Sequence, residues 1–309
     1  MSGHWQEFWS GAGADGANEV CTGAGEALDG FWRGRLDAAF KTGATSLVEL
    51  ACGAAPLARR AAELSETPLR LVCADISEAA IARLKEDFPA AEAVVADAAD
   101  PGFDPQGFDL VLSQFGLEYA GEGAFAAAAR LVAPGGALIA VAHLADGAVA
   151  RECAANRGIL AAFLDFDPLG LAAMLLAEES ALDQNEFKAR EGEIIASFRS
   201  IEAALAEAPP GGGVAFIRRV MPDLAQLYNR RQAFAAEDAQ AWLAGQKEAA
   251  QGYAARMSAM VEAALDEGAA ERVRQALEQA GLRIETLAPI SLKPDGEPAA
   301  WHIEAVRTE

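Results

Sequence analysis

The sequence predicts an α/β fold: a doubly wound, mostly parallel seven-stranded sheet with an antiparallel terminal strand and a large helical insert. Two observations carry this prediction. Between residues 46 and 143, short apolar runs alternate with Ala-rich helical stretches, a spacing typical of parallel strands joined by helices. The strand pattern then stops and resumes only near the C-terminus, with Ala-, Leu- and Glu-rich helical sequence between.

The first strand is predicted at Ser46–Leu50, before a turn of small residues and Pro56. Proline starts a helix well because its missing N–H costs nothing in the first turn. Ser77 is expected to cap a second helix at Glu78–Asp87. The other strands of this part are predicted at residues 69–74, 92–96, 108–113 and 137–143. Because such crossovers are right-handed, the carboxyl ends of these strands are expected at one edge of the sheet.

Two more strands are predicted at the end of the chain, at residues 282–292 and 300–308. They follow a helix at 267–280 that ends on Gly281, a good C-terminal stop. The turn between the two strands is short, so they are expected to be antiparallel.

The predicted organisation has three parts. They are an N-terminal helical segment at 1–40, a core at 41–145 and 266–309, and a helical insert at 146–265. Prolines are expected to break the insert at Pro168, at Pro222 and in the run 209–213.

Charge limits the possible partners. The 309 residues include 25 Lys and Arg against 46 Asp and Glu, a formal net charge of −21. Nucleic-acid binding draws most of its affinity from basic residues on phosphates, and anionic membranes likewise attract basic segments. The balance therefore argues against a nucleic-acid partner and against a membrane partner.

Cysteine usage and hydropathy point to the cytoplasm. The four cysteines include no C-x-x-C pair, which argues against a disulfide scaffold and a structural zinc site, and no metal site is predicted. The first residues lack the basic and apolar regions of a secretory signal. The most apolar stretch, 158–177, is interrupted by Asp165, Asp167 and Pro168, which suits a buried helix pair. A reduced, cytoplasmic protein is expected.

The turn after the first strand carries the most information. Glu49 lies in the strand, and small residues follow at Ala51, Gly53 and Ala55 before the helix at Pro56. Small residues allow a ligand to approach the backbone closely in nucleotide-binding folds. The G-x-G-x-x-G and Walker patterns are absent, so NAD, FAD and ATP are poorly supported.

Four later segments are in register with this turn. Asp75 comes just beyond the second strand, 26 residues after Glu49, where an acid can hold ribose hydroxyls. Asp97 ends the third strand, and polar residues end the fourth at Ser113 and Gln114. A Leu-Val-Ala-Pro-Gly-Gly turn at 131–136 precedes the fifth strand.

This ordered set resembles the class I S-adenosylmethionine-dependent methyltransferases, a family with a Rossmann-like fold. The segment from Glu49 to Ala55 resembles their first motif, an acid followed by x-Gly-x-Gly-x-Gly, and residues 108–113 resemble their "FDLV" strand. The resemblance covers about residues 40–145 and 266–309. Two motif glycines are replaced, by Ala51, a common variant in the family, and by Ala55, which would be strained if its position needs a positive φ.

The resemblance implies S-adenosylmethionine as cofactor and a set of residues that hold it. Asp75 would accept the ribose hydroxyls, Ile76 would pack on adenine, and Asp97 would take the adenine amino group. The full set of implied cofactor contacts is Glu49, Ala51, Cys52, Gly53, Asp75, Ile76, Asp97, Ala98, Ser113 and Gln114. The alternative for Cys52 is a small residue of the core. The alternative for Ser113 and Gln114 is that only their backbone atoms contact the cofactor.

Catalytic and acceptor-binding residues are less marked. His143 ends the fifth strand and is a candidate base, with a structural histidine as the alternative. Glu118 and Tyr119 follow the fourth strand and are candidate acceptor contacts, with packing residues as the alternative. The Asn-Pro-Pro-Tyr and Pro-Cys signatures of nucleic-acid methylation are absent, which favours a small-molecule acceptor.

The resulting hypothesis is methyl transfer from S-adenosylmethionine to oxygen or nitrogen of a small molecule. One alternative is a binding protein of the same fold that does not transfer a methyl group. Another is a relative that uses a modified S-adenosylmethionine. The oligomeric state is not predicted.

Overall fold

The computed structural model describes residues 8–9, 25–178, 181–293 and 296–308. Cys21 lies outside the described residues, as does most of the predicted N-terminal segment before residue 25. The chain divides into two compact units, Met1–Arg151 with Ala259–Glu309, and Glu152–Ser258. The predicted division at 40/41, 145/146 and 265/266 stays a prediction.

The first unit contains a seven-stranded sheet in the order β3-β2-β1-β4-β5-β7-β6. Neighbours among the first five strands are parallel, and β7 runs antiparallel to both β5 and β6. The predicted fold class is therefore confirmed. The strands are β1 (Ser46–Leu50), β2 (Arg70–Asp75), β3 (Glu92–Val95), β4 (Phe108–Gln114), β5 (Val132–His143), β6 (Leu282–Ser291) and β7 (Pro298–Arg307).

The helices alternate with the strands in the first part of the chain and follow one another after His143. They are α1 (Gly25–Lys41), α2 (Pro56–Leu64), α3 (Glu78–Asp87), α4 (Glu122–Leu131), α5 (Ala148–Phe166), α6 (Pro168–Glu178), α7 (Gln184–Glu207), α8 (Gly212–Asn229), α9 (Ala236–Ala263) and α10 (Glu267–Gln279). Ser77 caps α3 as predicted, since its side chain accepts a hydrogen bond from the Ala80 N–H. Gly281 has a φ of 85° just after α10, the left-handed conformation expected there.

Strand β5 differs from its prediction. It begins at Val132, ahead of the predicted start at Ala137, and so includes the Pro-Gly-Gly segment. Val132 pairs with Phe108 of β4, and the register shifts before Leu110 pairs with Ala137. The turn residues lie at an irregularity inside the paired strand, which local sequence rules assign to a loop.

The core of the first unit lies on both faces of the sheet. Val48, Val111 and Leu138 are paired in register and fully buried on one face. Leu47 and Leu112, one position away in β1 and β4, are fully buried on the other face. Parallel strands covered by helices on both faces have continuous apolar runs, which is how β1 and β4 read. At the start of β1 and β4, one carboxylate oxygen of Asp109 accepts the backbone N–H groups of Thr45 and Ser46 at 2.8 and 3.0 Å.

The second unit is helical and has its own core. Phe163, Ile217, Leu224 and Leu243 are among its fully buried residues. Pro222 lies inside α8 without ending it, so the predicted break there is wrong. An internal proline costs about 3 kcal/mol, whereas each buried aliphatic side chain on this helix contributes about 1.5–3 kcal/mol, so packing outweighs the local preference.

One helical stretch, Ala148–Glu178, is long and apolar enough to cross a membrane by length and composition. It consists of α5 and α6, which are separated at Asp167. Phe163, Leu169 and Leu175 from this stretch are buried within the protein. A core helix passes the same test, so the evidence for a membrane span is weak.

Candidate functional site

The loop after β1 is built from left-handed residues. Ala51, Gly53 and Ala55 have φ values of 50°, 51° and 55°. This conformation is easy for glycine and costs an L-residue about 1–2 kcal/mol, so the two alanines are strained. The Ala55 N–H donates to the Cys52 carbonyl at 2.7 Å, which holds the turn in this shape. The strain expected at Ala55 is therefore present, and it occurs at Ala51 as well.

Glu49 lies below this loop. It is 1% exposed, and its carboxyl accepts the backbone N–H groups of Ala58 at 2.8 Å and Leu57 at 3.4 Å. Burial raises the pKa of Glu49 to about 8, against the opposing effect of these two hydrogen bonds. At neutral pH the side chain is mostly protonated, and it ties β1 to the first turn of α2.

Asp75 ties the end of β2 to the same loop. One carboxylate oxygen accepts the Gly53 N–H and the other accepts the Ser77 N–H, both at 2.8 Å. Burial raises the pKa of Asp75 above its ordinary value, although these hydrogen bonds favour the ionised form. The Ile76 N–H is a third backbone partner, and a carboxylate has about four acceptor positions, so the group can still accept a ligand hydroxyl. Ile76 beside it is 38% exposed, as a surface for an aromatic base requires.

Cys52 and Cys73 lie under this region as buried, free thiols. A hydrogen bond with Cys73 and burial raise the pKa of the Cys52 thiol well above its usual range. The side chain of Cys52 is therefore neutral. Its backbone N–H donates to the Ala74 carbonyl at 3.0 Å and so helps to shape the loop.

The end of β3 lies next to Asp75. The Ala96 N–H donates to the Asp75 carbonyl at 2.9 Å. Asp97 is exposed, and its carboxylate accepts the Ala99 N–H at 2.9 Å, while Ala98 is buried. A carboxylate with one local partner and an open side can take a further donor.

The end of β4 contacts β1 and helix α1. The Ser113 hydroxyl donates to the Leu50 carbonyl at 3.0 Å, so this side chain is engaged with the backbone. The side-chain amide oxygen of Gln114 accepts a hydrogen bond from the indole N–H of Trp32 at 2.6 Å. Trp32 was not among the predicted site residues, because a contact between positions this far apart has no local signal.

The residues after β4 pack on the loop after β1. Phe115 has a φ of 52°, and a Cβ added to Gly116 would lie 2.6 Å from the Ala51 Cβ and 2.8 Å from the Ser113 hydroxyl oxygen. Only glycine allows this approach. The short helical turn Leu117–Ala120 is thereby held beside the Ala51 loop.

Glu118 and His143 form a buried pair. One Glu118 oxygen lies 2.7 Å from His143 Nδ1 and accepts the His143 backbone N–H at 2.9 Å. The other Glu118 oxygen and His143 Nε2 are buried without a hydrogen-bond partner among the described residues. The rings of Phe115 and Tyr119 lie 4.4 and 5.8 Å from the imidazole, measured between centroids. The candidate base, His143, is thus hydrogen-bonded to Glu118, and Tyr119 packs against its imidazole.

Trp9 also reaches the loop. A Cβ added to Gly53 would lie 2.5 Å from Trp9 Cζ2 and 2.9 Å from Cη2, so the edge of the indole touches this glycine.

The described residues suit an adenosyl cofactor. Ala51 and Gly53 are small and left-handed, Asp75 can accept a further hydrogen bond, and Ile76 offers an apolar surface. Residues 47–136 match the family model of a methyltransferase domain. This match supports the class I S-adenosylmethionine-dependent methyltransferase family for this segment. The match also supports S-adenosylmethionine as the cofactor and methyl transfer as the type of reaction; for the chain as a whole both stay predictions.

Solved structures resemble parts of this chain. A TehB-like S-adenosylmethionine-dependent methyltransferase from Corynebacterium glutamicum is 22% identical over 35% of this chain and 60% of its own, with a TM-score of 0.29. One from Mesorhizobium loti is 24% identical over 33% and 48%, with a TM-score of 0.30. One from Aquifex aeolicus is 8% identical over 84% and 81%, with a TM-score of 0.39.

These likenesses carry no argument about function, because their TM-scores lie below 0.5. The chain spans about half the length of the first two relatives, 60% and 48%. No curated protein matches it.

Proposed function

We propose that this chain transfers a methyl group from S-adenosylmethionine to oxygen or nitrogen of a small molecule. The observation that supports this most directly is the convergence of the motif residues on one loop. Asp75 bonds to Gly53, Ser113 bonds to Leu50, and Gly116 packs on Ala51. Motif residues from three strands thus meet where the family match lies.

In this proposal the loop and the strand ends hold the cofactor. Asp75 accepts the ribose hydroxyls, Ile76 packs on adenine, and Asp97 accepts the adenine amino group. The Ala51–Gly53 backbone and the Ser113–Gln114 segment flank the methionine part. Glu49 acts through the loop, because both of its oxygens face the N–H groups that begin α2.

The acceptor is activated by the Glu118–His143 pair. His143 Nε2 takes the proton of an acceptor hydroxyl as the oxygen attacks the methyl carbon. The bond from that carbon to the sulfonium sulfur breaks as the new C–O bond forms, and S-adenosylhomocysteine leaves as a neutral thioether. Glu118 holds Nδ1 at 2.7 Å and stabilises the imidazolium that results. Tyr119 lines the acceptor side of the pair.

A small acceptor is favoured by charge. The formal net charge of −21 repels nucleic acids, and it favours neutral or cationic small molecules. Cys52 and Cys73 are free thiols, in keeping with a reducing cytoplasm as the site of action.

The decisive test is titration calorimetry with S-adenosylmethionine and S-adenosylhomocysteine, followed by a methyl-transfer assay over a panel of phenols, carboxylic acids and amines. We expect micromolar or tighter binding of both ligands and turnover of at least one acceptor. Absence of binding at high micromolar concentration would refute the proposal. The Asp75→Ala variant is the matched control for the site, and we expect it to lose most of the affinity.

A second candidate is a protein that binds S-adenosylmethionine and transfers nothing. The strained alanines at Ala51 and Ala55 favour it, and so does the 1% exposure of His143. Binding without turnover across the whole panel would establish it. Mass spectrometry of the ligand that co-purifies with the chain distinguishes S-adenosylmethionine from a modified form.

A further inference from the structure

The contact between Trp9 and Gly53 occurs in the loop that the proposed function assigns to the cofactor. A Cβ on Gly53 would lie 2.5, 2.9 and 3.3 Å from the indole atoms Cζ2, Cη2 and Cε2. Three atoms along the edge of the six-membered ring of the indole therefore lie against the glycine. An edge contact leaves both faces of the indole free of Gly53.

The ring has an independent orienting contact. Phe8 packs against Trp9 in an edge-to-face arrangement, with ring centroids 5.0 Å apart and planes at 78°. Helix α1, further along the chain, adds the bond from the Trp32 indole N–H to the side chain of Gln114, in the second segment proposed to flank the methionine part. Two tryptophans from the N-terminal part of the chain thus contact the two segments proposed to flank the methionine part of the cofactor.

One acidic side chain at the loop favours a cation on it. Asp75 is buried there, whereas Glu49 is mostly protonated at neutral pH and adds little charge. The nearby cation among the described residues is Arg59, whose Nε donates to the Ala54 carbonyl at 3.0 Å, and whose guanidinium also binds Asp87 and lies over the Phe88 ring. Arg59 is thus already bound by Asp87 of α3 and by Phe88, the residue after it. An indole face attracts a cation that comes within about 6 Å of its centre.

We infer that Trp9 is a specificity-determining residue that covers the methionine part of the bound cofactor and recognises the positive charge of its sulfonium. The inference rests on the proposed function. It predicts that Trp9 favours S-adenosylmethionine over S-adenosylhomocysteine, whose sulfur is neutral, and so aids release of the product. The two ligands differ in a methyl group and in this charge.

The test uses two variants of the full chain, Trp9→Phe and Trp9→Leu, with both ligands titrated by calorimetry. Leucine keeps an apolar cover and removes the aromatic ring, whereas phenylalanine keeps the ring. Cation–π attraction of about 0.5–2 kcal/mol corresponds to roughly 2- to 30-fold in affinity. We expect W9L to weaken S-adenosylmethionine by a factor in this range, to weaken S-adenosylhomocysteine less than twofold, and W9F to lie between W9L and the wild type.

Three results would overturn the inference: unchanged affinities in W9L, equal weakening of both ligands, or tighter binding of S-adenosylmethionine, which would mean that the indole competes with it. Thermal unfolding of each variant confirms that the chain is folded. Failure of the wild type to bind either ligand would instead refute the proposed function. A normal wild type with an unaltered ratio of affinities in W9L would refute the role of Trp9 alone.

Discussion

At the scale of single residues, the candidate site depends on buried polar groups whose partners are mostly backbone N–H groups. Glu49 and Asp75 each accept at least two such bonds. Their carboxyl groups are structural connections between strands, loop and helix before any ligand arrives. Glu118 and His143 differ, because each leaves one buried polar atom without a partner in the described part of the chain. Such an atom is costly to bury, which is why the pair is the proposed point of acceptor binding.

Glu49 should make stability depend on pH. Because its pKa in the folded protein is raised from 4.5 to about 8, its contribution is fully present below about pH 4.5 and is lost as the pH rises through 8. The amide of the Glu49→Gln variant does not titrate. We expect the free energy of unfolding of this variant, relative to wild type, to increase between pH 5 and pH 8.5 by on the order of a few kcal/mol. Urea unfolding at several pH values measures it, and a difference independent of pH would contradict the raised pKa.

The Glu118–His143 pair should affect turnover and not cofactor binding. A positioned base contributes roughly 10²–10⁴-fold, so His143→Asn should lower kcat by about 100-fold or more. Glu118→Gln keeps the shape of the side chain and removes its charge, and a smaller loss of about tenfold is expected. The affinity for S-adenosylmethionine should stay within twofold in both variants.

Steady-state kinetics with the best acceptor, together with calorimetry, separate these effects. Partial rescue of His143→Ala by added imidazole would show that the lost group is the base itself. Equal losses of cofactor affinity and turnover would instead assign the pair a purely structural role.

At the scale of elements, close packing between two loops positions the site. The segment after β4 approaches the loop after β1 because Gly116 has no Cβ. The parallel sheet brings the two loops to the same edge, and this glycine decides how near they lie. The turn Leu117–Ala120, with Glu118 in it, depends on that approach.

Gly116→Ala should therefore disturb both stability and binding. Its Cβ would lie 2.6 Å from the Ala51 Cβ, and forced overpacking typically costs about 1–3 kcal/mol. We expect a stability loss in this range and weaker binding of S-adenosylmethionine, because Ala51 must move. Gly123→Ala is the matched control, since no described atom lies within 4 Å of the added Cβ and the residue is in α4. Equal stability and affinity in the two variants would show that the loops are not closely coupled.

At the scale of the whole molecule, the segment that matches a methyltransferase-domain model, residues 47–136, is part of a chain that folds into two compact units. The first contains the sheet and the proposed cofactor residues. The second, Glu152–Ser258, is helical and has a separate core. Net charge is a property of the chain as a whole, and it sets which partners can approach.

The charge of −21 should keep the chain from polyanions. We expect it to pass through a heparin column at about 100 mM salt without retention and to show no binding to duplex DNA or anionic vesicles in sedimentation assays. A basic protein of similar size is the control for column function. Retention that weakens with salt would point to a local basic surface and would reopen a nucleic-acid acceptor.

Local sequence was enough to predict the fold class, the parallel order of the motif strands, the cap at Ser77 and the family. These depend on periodicity and on short motifs, which are encoded within a few neighbouring residues. Local sequence also marked Ala55 as a position at risk of strain, because the requirement for a positive φ at a motif glycine is local.

The tertiary structure alone decided which residues of the candidate site contact one another. Glu118 binds His143, Trp32 binds Gln114, and Trp9 touches Gly53, in each case across a separation that no local pattern records. Pro222 likewise lies within an unbroken helix, since burial of that helix outweighs the local preference of proline. Contacts of this kind arise when strands and helices pack at one edge of the sheet, or within the core of one unit. Such packing depends on residues that are distant in the sequence.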